Sequence, residues 1–542
     1  MALRPLLENL ESRTFFAIVA MAAAVDCAPA RRVEAFAYPM PTALAAVAVS
    51  PIEVQLSWSL PFAQSAARSA LTAKVQVSNT RYAVERAFAG GTFAAVGDVD
   101  ASATSFVDLG LRSDGAYQYR LRRIDGSNAL TAPASVVTPR YDAGLTGTFQ
   151  SPTATTGRTL NILSFGATSN NASNDDAAAI RAAISEAVAG DEVYIPNGVF
   201  HIKARDIQLK SGVSVRGQSM SGTILSAQFT DQGASNPNSQ VFRVEAGRSN
   251  VTFSNFRIEM SAGQTMQYGI ALGSGSTGVS NTRRVAIRNV NIEGFERFGV
   301  AIRNADNVLI ENSLIRNATA LGGGGQGYGV MIGYPQTFNV WVKGNTIGPT
   351  IRHAVIIQYQ AHHNLIENNI AIENTEDAYD LHGEDEYSNE LRYNIAYGGD
   401  GFGFGIGNTG STHDDSGPNN WIHHNEVYNS QGGLNIILGS DRQFIEDNYF
   451  HNNLQEGIKV NNGGGADLWF LRNRIENNAR GVRLDDAVNP LLIDNVITGN
   501  AGYGVSVGAT TTGFRIFRND LRNNTPGLQL HSLDGQAEDN LF

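Results

Sequence analysis

The chain of 542 residues has a single cysteine, Cys27, and only 16 prolines beside 57 glycines. One thiol cannot form an intramolecular disulfide, so no disulfide framework supports the fold. Basic residues are also in deficit, with 40 Lys and Arg against 51 Asp and Glu and a formal charge of −11. We expect no nucleic-acid partner, because phosphate binding needs a basic face. The composition, 42% hydrophobic and 17% charged, is typical of a folded, turn-rich protein.

Long hydrophobic runs are absent as well. Residues 15–25, FFAIVAMAAAV, are signal-peptide-like and too short to span a bilayer, and we expect no transmembrane segment elsewhere. The start LENLESRTFF resembles leaders on exported surface proteins of some bacteria. We therefore assign residues 1–40 to a leader and expect a secreted or cell-surface protein.

The length predicts two or more structural units, unless a repeat accounts for it. Residues 44–140 alternate apolar and polar residues between turn signals, which predicts a small antiparallel β-sandwich. Trp58 and the strand YQYRLRRID resemble a fibronectin type III domain, and this resemblance implies a spacer or adhesion module. Residues 141–158 are rich in Gly, Ser and Thr and are predicted to be a linker.

A different pattern begins at Leu160, with a strand, a helix that starts near Asp175 and Asp176, and a second strand. Carboxylates favour a helix start because of its free amides and its dipole. The segment FGATSNNASNDDAAAIRAAISEAVAGDEVYIPNGVF resembles the N-terminal cap of pectate-lyase-superfamily β-helices. This resemblance implies a pectin-lyase-like solenoid.

A repeat of 22 to 33 residues then runs to the end of the chain. Each unit has a turn asparagine followed by a short apolar strand such as GVAI, GVMI or GIKV, which indicates stacked coils with asparagines in a ladder. The predicted ladder residues are Asn289, Asn312, Asn345, Asn368, Asn394, Asn425, Asn448, Asn473, Asn495 and Asn519. The prediction for residues 159–542 is an all-β fold, a right-handed parallel β-helix.

Alternation along each strand predicts which residues point outward. Asp380 and His382 are i and i+2 on one strand, so they share the outward face at a spacing of roughly 7 Å. Gly403 and Gly405 of the next coil are predicted to leave a bare floor beside them, on which a sugar ring could lie. The same face offers these candidate substrate-binding residues: Arg303, Gln358, Asn435, Lys459, Asn461 and Arg483.

Two long loops interrupt the repeat near this face. LGGGGQGYG comes just before one strand and GNTGSTHDDSGPNN just after another, so they are expected to rise on opposite rims and form a groove. The second loop places His413 beside Asp380 and His382. Histidine suits proton transfer because its pKa lies near the operating pH.

The stretch DAYDLHGEDEYSNELRYNIAYGGDGFGFGIG resembles the catalytic coil of mannuronan C5-epimerases, whose motif is Asp-Pro-His-Glu. Asp380 and His382 match the Asp and His, Leu381 replaces the proline and the Glu is displaced to Glu384. Asp377 stands where that family has its catalytic tyrosine, and no counterpart of its catalytic Arg or Lys is evident. The resemblance implies a uronate-polymer lyase or C5-epimerase that acts on an acidic polysaccharide, with Asp380, His382 and His413 as catalytic residues. We also expect a monomer.

Two other functions stay open. A glycoside hydrolase needs two carboxyl groups about 5 to 9.5 Å apart, and the partner of Asp380 would come from Asp377, Glu384, Asp400, Asp414 or Asp415. A surface adhesin or carbohydrate-binding protein would use the same face without catalysis. Calcium is the one cofactor that the sequence leaves open, with oxygen ligands from Glu384, Asp385 and Glu386.

Overall fold

A computed structural model describes residues 40–60, 81–230, 239–276, 278–410 and 413–542. The leader predicted at residues 1–40 lies outside these ranges, apart from its last residue. None of the helices in the described ranges has the length and apolarity needed to cross a membrane.

Two compact units make up the chain. The first comprises Met1–Val47, Gln55–Val107 and Ala116–Val136, and the second comprises Ala48–Val54, Asp108–Gly115 and Val137–Phe542.

The N-terminal strands form two small sheets. The three-stranded sheet contains Thr42–Ser50, Glu53–Ser59 and Ser105–Leu109, and the four-stranded sheet contains Arg81–Phe88, Ala94–Asp100, Ala116–Arg123 and Ala134–Val137. Alternate residues are buried, among them Trp58, whose Nε1 donates to the Ala103 carbonyl at 2.7 Å. These sheets match the predicted sandwich pattern, and the likeness to a fibronectin type III domain stays a prediction.

A cap closes the first coil of the second unit. It contains the 3₁₀ helix Ile162–Phe165 and the α-helix Asp176–Glu186, whose N-cap Asp175 accepts a hydrogen bond from the Ala177 amide. Ile180 and Ile184 are buried against the coils. The predicted helix start is confirmed, and the helix covers the apolar end that a stack of coils would otherwise expose.

Beyond the cap, the chain forms a right-handed parallel β-helix, as predicted. We call its 13-stranded parallel sheet the site sheet. Its strands are Ile207–Gln208, Gln240–Val244, Tyr268–Gly273, Phe298–Arg303, Tyr328–Gly333, His353–Gln358, Tyr379–Leu381, Phe402–Ile406, Gly432–Ile437, Glu456–Asn461, Arg480–Leu484, Val505–Val507 and Leu528–Leu530.

The other walls of the coils consist of 25 strands joined in one hydrogen-bonded sheet. They are Thr159–Asn161, Glu192–Ile195, Gly198–Ile202, Ser214–Gly217, Thr223–Ala227, Ser249–Met260, Thr282–Glu293, Ala305–Glu311, Leu314–Arg316, Phe338–Lys343, Thr346–Ile347, Leu365–Glu367, Ile370–Ile372, Glu390–Arg392, Ile395–Tyr397, Trp421–His423, Glu426–Tyr428, Phe444–Glu446, Tyr449–His451, Trp469–Leu471, Arg474–Glu476, Leu491–Ile493, Val496–Thr498, Phe514–Phe517 and Gly535–Glu538.

The core consists of stacked apolar columns, one residue per coil. In one column Val355, Tyr379 and Phe404 are register partners, and the Tyr379 and Phe404 rings stack at 5.1 Å. Burying each such side chain contributes about 1.5–3 kcal/mol relative to exposure. Because the column continues from coil to coil, it holds every strand of the site sheet in register.

Asparagine ladders run along the turns. In the longest, each amide nitrogen donates to the next Oδ1 at 2.9–3.1 Å. Its members are Asn345, Asn369, Asn394, Asn425, Asn448, Asn473, Asn495, Asn519 and Asn540. Shorter ladders join Asn364 to Asn420 and Asn453 to Asn524.

Three of the predicted ladder members are wrong by one residue. Asn289, Asn312 and Asn368 have positive φ angles of 50°, 51° and 55°. The following residue occupies the ladder position, as with Ser313, whose amide donates to the Asn345 Oδ1 at 2.9 Å. Asparagine tolerates left-handed backbone, so the turn offers it two adjacent positions that the sequence pattern does not separate.

The predicted linker, residues 141–158, contains no helix or strand. It packs against the β-helix: the Tyr141 ring stacks on Phe444 at 4.2 Å, and the Thr146 amide donates to the Asn339 Oδ1 at 2.7 Å. This segment is therefore part of the second unit and not a free tether.

Candidate active site

A cavity of about 750 Å³ lies along the outward face of the site sheet, and we call it the site groove. Both long loops line it, through Gly324 and Gly325 of the first and Asn408, Gly410 and His413 of the second. It is rich in cations and aromatic rings: Arg243, Arg297, Arg303, Arg352, Tyr268, Phe298, Tyr328, Tyr334 and Tyr359. No Asp or Glu occurs among the described residues that line it.

Strand register places the predicted outward residues side by side. Ala301, Met331, Ile356 and Asp380 are successive partners, as the alternation predicts. The next partner of Asp380 is Gly405 and not Gly403, which corrects the predicted register of that coil. Glycine and phenylalanine alternate in GFGFGI, so the sequence is compatible with either Gly403 or Gly405 as the partner of Asp380. The hydrogen bonds between the strands select Gly405.

The predicted bare floor is also wrong. A Cβ on Gly405 would overlap the Asp377 side chain, and Asp377 Oδ1 accepts a hydrogen bond from the Phe402 amide at 2.8 Å. Burial and the nearby Asp380 carboxylate raise the pKa of Asp377 to about 6. Gly405 thus leaves space for the Asp377 carboxyl group, which hydrogen-bonds to the backbone of the next coil.

Asp380 and His382 form a buried dyad, with side chains 4% and 7% exposed. His382 Nδ1 lies 2.6 Å from Asp380 Oδ2, and the Asn408 amide nitrogen lies 3.0 Å from Nδ1 and 3.2 Å from Nε2. Burial acts to lower the pKa of His382, but the charge and the hydrogen bond of Asp380 outweigh it and raise the pKa. Asp380 therefore favours the protonated form of His382, whose side chain lines the groove.

His413 lies next to this dyad, with its ring centroid 4.7 Å from that of His382. Burial and the charge of His382 lower the pKa of His413. The two histidines thus have pKa values shifted in opposite directions, a pattern that separates an acid from a base.

The three carboxylates considered for calcium do not converge. Glu384 Oε1 lies 2.8 Å from His413 Nδ1, Asp385 accepts a hydrogen bond from Gln360, and Glu386 is fully buried. Burial raises the pKa of Glu384 to about 7 and that of Glu386 well above its usual range. Among the described residues no group of three His, Cys, Asp or Glu side chains is placed to hold a metal ion.

Sequence reasoning missed a second layer of the site, in the coil before Asp380. Arg352 lines the groove, with Nη2 2.7 Å from Glu376 and Nη1 donating to the Tyr328 hydroxyl at 3.3 Å. His353 Nε2 lies 3.3 Å from Glu376. His353 and Arg352 together hold the pKa of Glu376 at about 2.

The signal for this layer was present in the sequence. His353 and Tyr328 are register partners at the first positions of their strands. They point outward, although they precede the alternating residues from which the outward face was predicted. The Tyr268, Phe298, Tyr328 and His353 rings form one continuous column with spacings of 5.0–5.4 Å. The sequence signal was the recurrence of a ring at the first position of these strands, because strict alternation from the core residues Val330 and Val355 would turn Tyr328 and His353 inward.

The candidate substrate-binding residues separate into two groups. Arg303 and Gln358 line the site groove together with His382 and His413. Asn435, Lys459, Asn461 and Arg483 lie on later coils and do not line it, and Arg483 pairs with Asp485 at 2.5 Å.

Comparisons with known proteins establish the fold. The family model described as the right handed beta helix region matches residues 277–441 and 407–526. No curated protein matches the sequence.

Two solved structures illustrate the structural likeness. The A-module of a mannuronan C-5 epimerase from Azotobacter vinelandii has a TM-score of 0.51 at 18% identity, covering 70% of this chain and 98% of that chain. Gene product 12 of bacteriophage phi29, in its pre-mature form, has a TM-score of 0.53 at 12% identity, covering 70% and 55%. At these identities the likeness concerns the fold and does not extend to the chemistry of the site.

Proposed function

We propose that this β-helix protein acts outside the cell on an acidic polysaccharide, removing the C5 proton of a uronic acid unit. One observation carries the proposal: four arginines and no carboxylate occur among the described residues of the site groove, in a chain of net charge −11. A local cationic groove in an acidic protein suits a polyanionic ligand. The likeness to the mannuronan C-5 epimerase A-module supports a polysaccharide-active β-helix, without specifying the reaction.

Each step of C5 proton removal has a suitable group. Arg352 or Arg303 pairs with the sugar carboxylate, which lowers the cost of negative charge at C5. The neutral His413 ring takes the C5 proton through a ring nitrogen. His382 then donates its Nε2 proton to O4 as the C4–O4 bond breaks and the electron pair forms the C4=C5 double bond.

The spacing of the histidines favours elimination over epimerisation. A sugar ring held between two acid–base groups makes van der Waals contact with one of them on each face. The two groups must then lie about 7–8 Å apart. The His382 and His413 ring centroids are 4.7 Å apart, so both act from one side of the sugar. We therefore expect a lyase for uronates whose C5 hydrogen and O4 lie on the same ring face, as in mannuronate and glucuronate polymers.

Hydrolysis is the alternative, and one observation favours it. Glu384, with a pKa of about 7, could serve as the acid while Asp380 serves as the second carboxyl group. Neither carboxylate is among the described residues that line the groove, whereas both histidines are. We favour proton abstraction for this reason.

The purified full-length chain should be incubated with alginate, glucuronate polymers, pectate and neutral glycans. Ultraviolet absorbance of the unsaturated uronate and reducing ends are followed together. A rise in both that is abolished by His382→Ala supports a lyase. Reducing ends without absorbance point to hydrolysis, and proton NMR of the recovered polymer detects epimerisation. Binding without any of these products would show an adhesin.

A further inference from the structure

Two tyrosines stand on the rim of the site groove on consecutive coils. Tyr334 follows the strand Tyr328–Gly333 and Tyr359 follows His353–Gln358. Their ring centroids are 4.9 Å apart, and both rings line the groove. Both residues have positive φ angles, 81° and 52°, a conformation that bulky residues rarely adopt. Strained backbone at Tyr334 and Tyr359 thus directs both aromatic rings into the groove.

Glycines on nearby coils leave room for these rings. A Cβ on Gly275 would overlap the Tyr334 ring, and one on Gly333 would lie 3.3 Å from Tyr359. Tyr359 is nevertheless 41% exposed, whereas the other groove aromatics Tyr268, Phe298 and Tyr328 are buried. An exposed ring in a concave site offers an apolar face that the fold itself does not use.

A cation lies within reach of this pair. The Arg303 guanidinium stacks 5.1 Å from the Tyr268 ring centroid and lines the same groove. Strand register pairs Arg303 with Gly333 and Gly333 with Gln358, the residues that directly precede Tyr334 and Tyr359. An aromatic face beside a guanidinium suits a sugar ring that carries a carboxylate.

One carboxyl group connects this rim to His413. The Tyr359 amide donates to Glu384 Oε2 at 3.1 Å, and Glu384 Oε1 lies 2.8 Å from His413 Nδ1. Tyr359 therefore lies one coil, and Tyr334 two coils, to the N-terminal side of His382.

We propose that Tyr334 and Tyr359 form an aromatic subsite that binds one uronate ring of the polymer next to His382 and His413, with Arg303 contacting its carboxylate. The ligand class rests on the proposed function. The subsite aligns the chain without taking part in proton transfer, so it affects affinity and not the chemical step.

Binding of a mannuronate hexasaccharide is measured by titration calorimetry on the full chain carrying His382→Ala, so that no turnover occurs. In that background, Tyr334→Ala with Tyr359→Ala is expected to weaken binding at least about tenfold, equivalent to about 1.4 kcal/mol. The corresponding Phe variants keep the ring faces and should bind within about twofold, a change of under about 0.5 kcal/mol. Tyr393→Ala is the control, since Tyr393 is exposed on another wall.

Hexasaccharide binding that is unchanged in the double Ala variant, with folding verified by circular dichroism, would overturn the subsite. So would a parent protein that does not bind the hexasaccharide. Turnover by the wild-type chain is a separate readout. If the Ala variants lose affinity while the wild type forms no product, the subsite stands and the proposed reaction fails.

Discussion

Replacing Asp380 with asparagine tests whether this carboxylate keeps His382 protonated. The substitution preserves size and leaves an oxygen to accept the Nδ1 proton, but it removes the negative charge 2.6 Å from the ring. Asp380 raises the pKa of His382, so its loss lowers that pKa and moves the alkaline limb of the pH–rate profile to lower pH.

The magnitude follows from the hydrogen bond that is lost. A bond between charged groups contributes about 1.5–3 kcal/mol, and about 1.36 kcal/mol corresponds to a factor of ten. The fraction of protonated His382, and with it kcat/KM, should therefore fall about 10- to 150-fold on the alkaline side. The loss should be smaller below the ordinary histidine pKa, where the ring is protonated in either protein.

The assay is kcat/KM against pH on the polymer that the wild type degrades. Asp485→Asn is the matched control, because Asp485 pairs with Arg483 on the same face outside the groove. A rate loss of equal size at every pH would show that Asp380 acts through geometry and not charge. Full activity in Asp380→Asn would refute the role of the dyad.

Four further outcomes are expected. His413→Gln should lower kcat about 100- to 10,000-fold and remove the acid limb of the profile while hexasaccharide binding persists, since the lowered pKa of His413 makes it the group lost on acidification. Arg352→Ala should raise KM for the uronate polymer about tenfold and weaken its salt dependence, with no effect on neutral glycan binding. Asn425→Ala leaves two buried backbone partners unpaired and should cost about 2–6 kcal/mol in urea unfolding, against little change for the exposed Asn429→Gly. Glu386→Gln should raise the melting temperature above neutral pH, because a buried carboxyl group with a raised pKa destabilises the fold as it ionises; an unchanged or lower melting temperature there would contradict this.

Local ambiguities account for the errors of sequence reasoning. Asn368 and Asn369 are adjacent, and only the coil-to-coil hydrogen bond between amides identifies Asn369 as the ladder member. The alternating glycines of GFGFGI left two registers open, and the strand pairing makes Gly405, not Gly403, the partner of Asp380. For the asparagines the difference is one residue, which changes the face because side chains alternate with period two, whereas for the glycines it is two residues, which changes the partner of Asp380.

The sequence by itself determined the β-helix, its cap and the outward direction of Asp380 and His382. These features repeat or follow local rules: apolar alternation, a turn asparagine in each coil and a carboxylate at a helix start. A repeat averages over many coils, so an error in one of them leaves the architecture intact.

Only the tertiary structure decided the chemistry of the site. It brought Arg352 and His353 to the dyad, turned Glu386 inward and set His413 against His382. Such contacts join coils and loops that are 24 to 33 residues apart in sequence. Their energies depend on burial and on the distance between charges, and these quantities exist only once the coils are stacked.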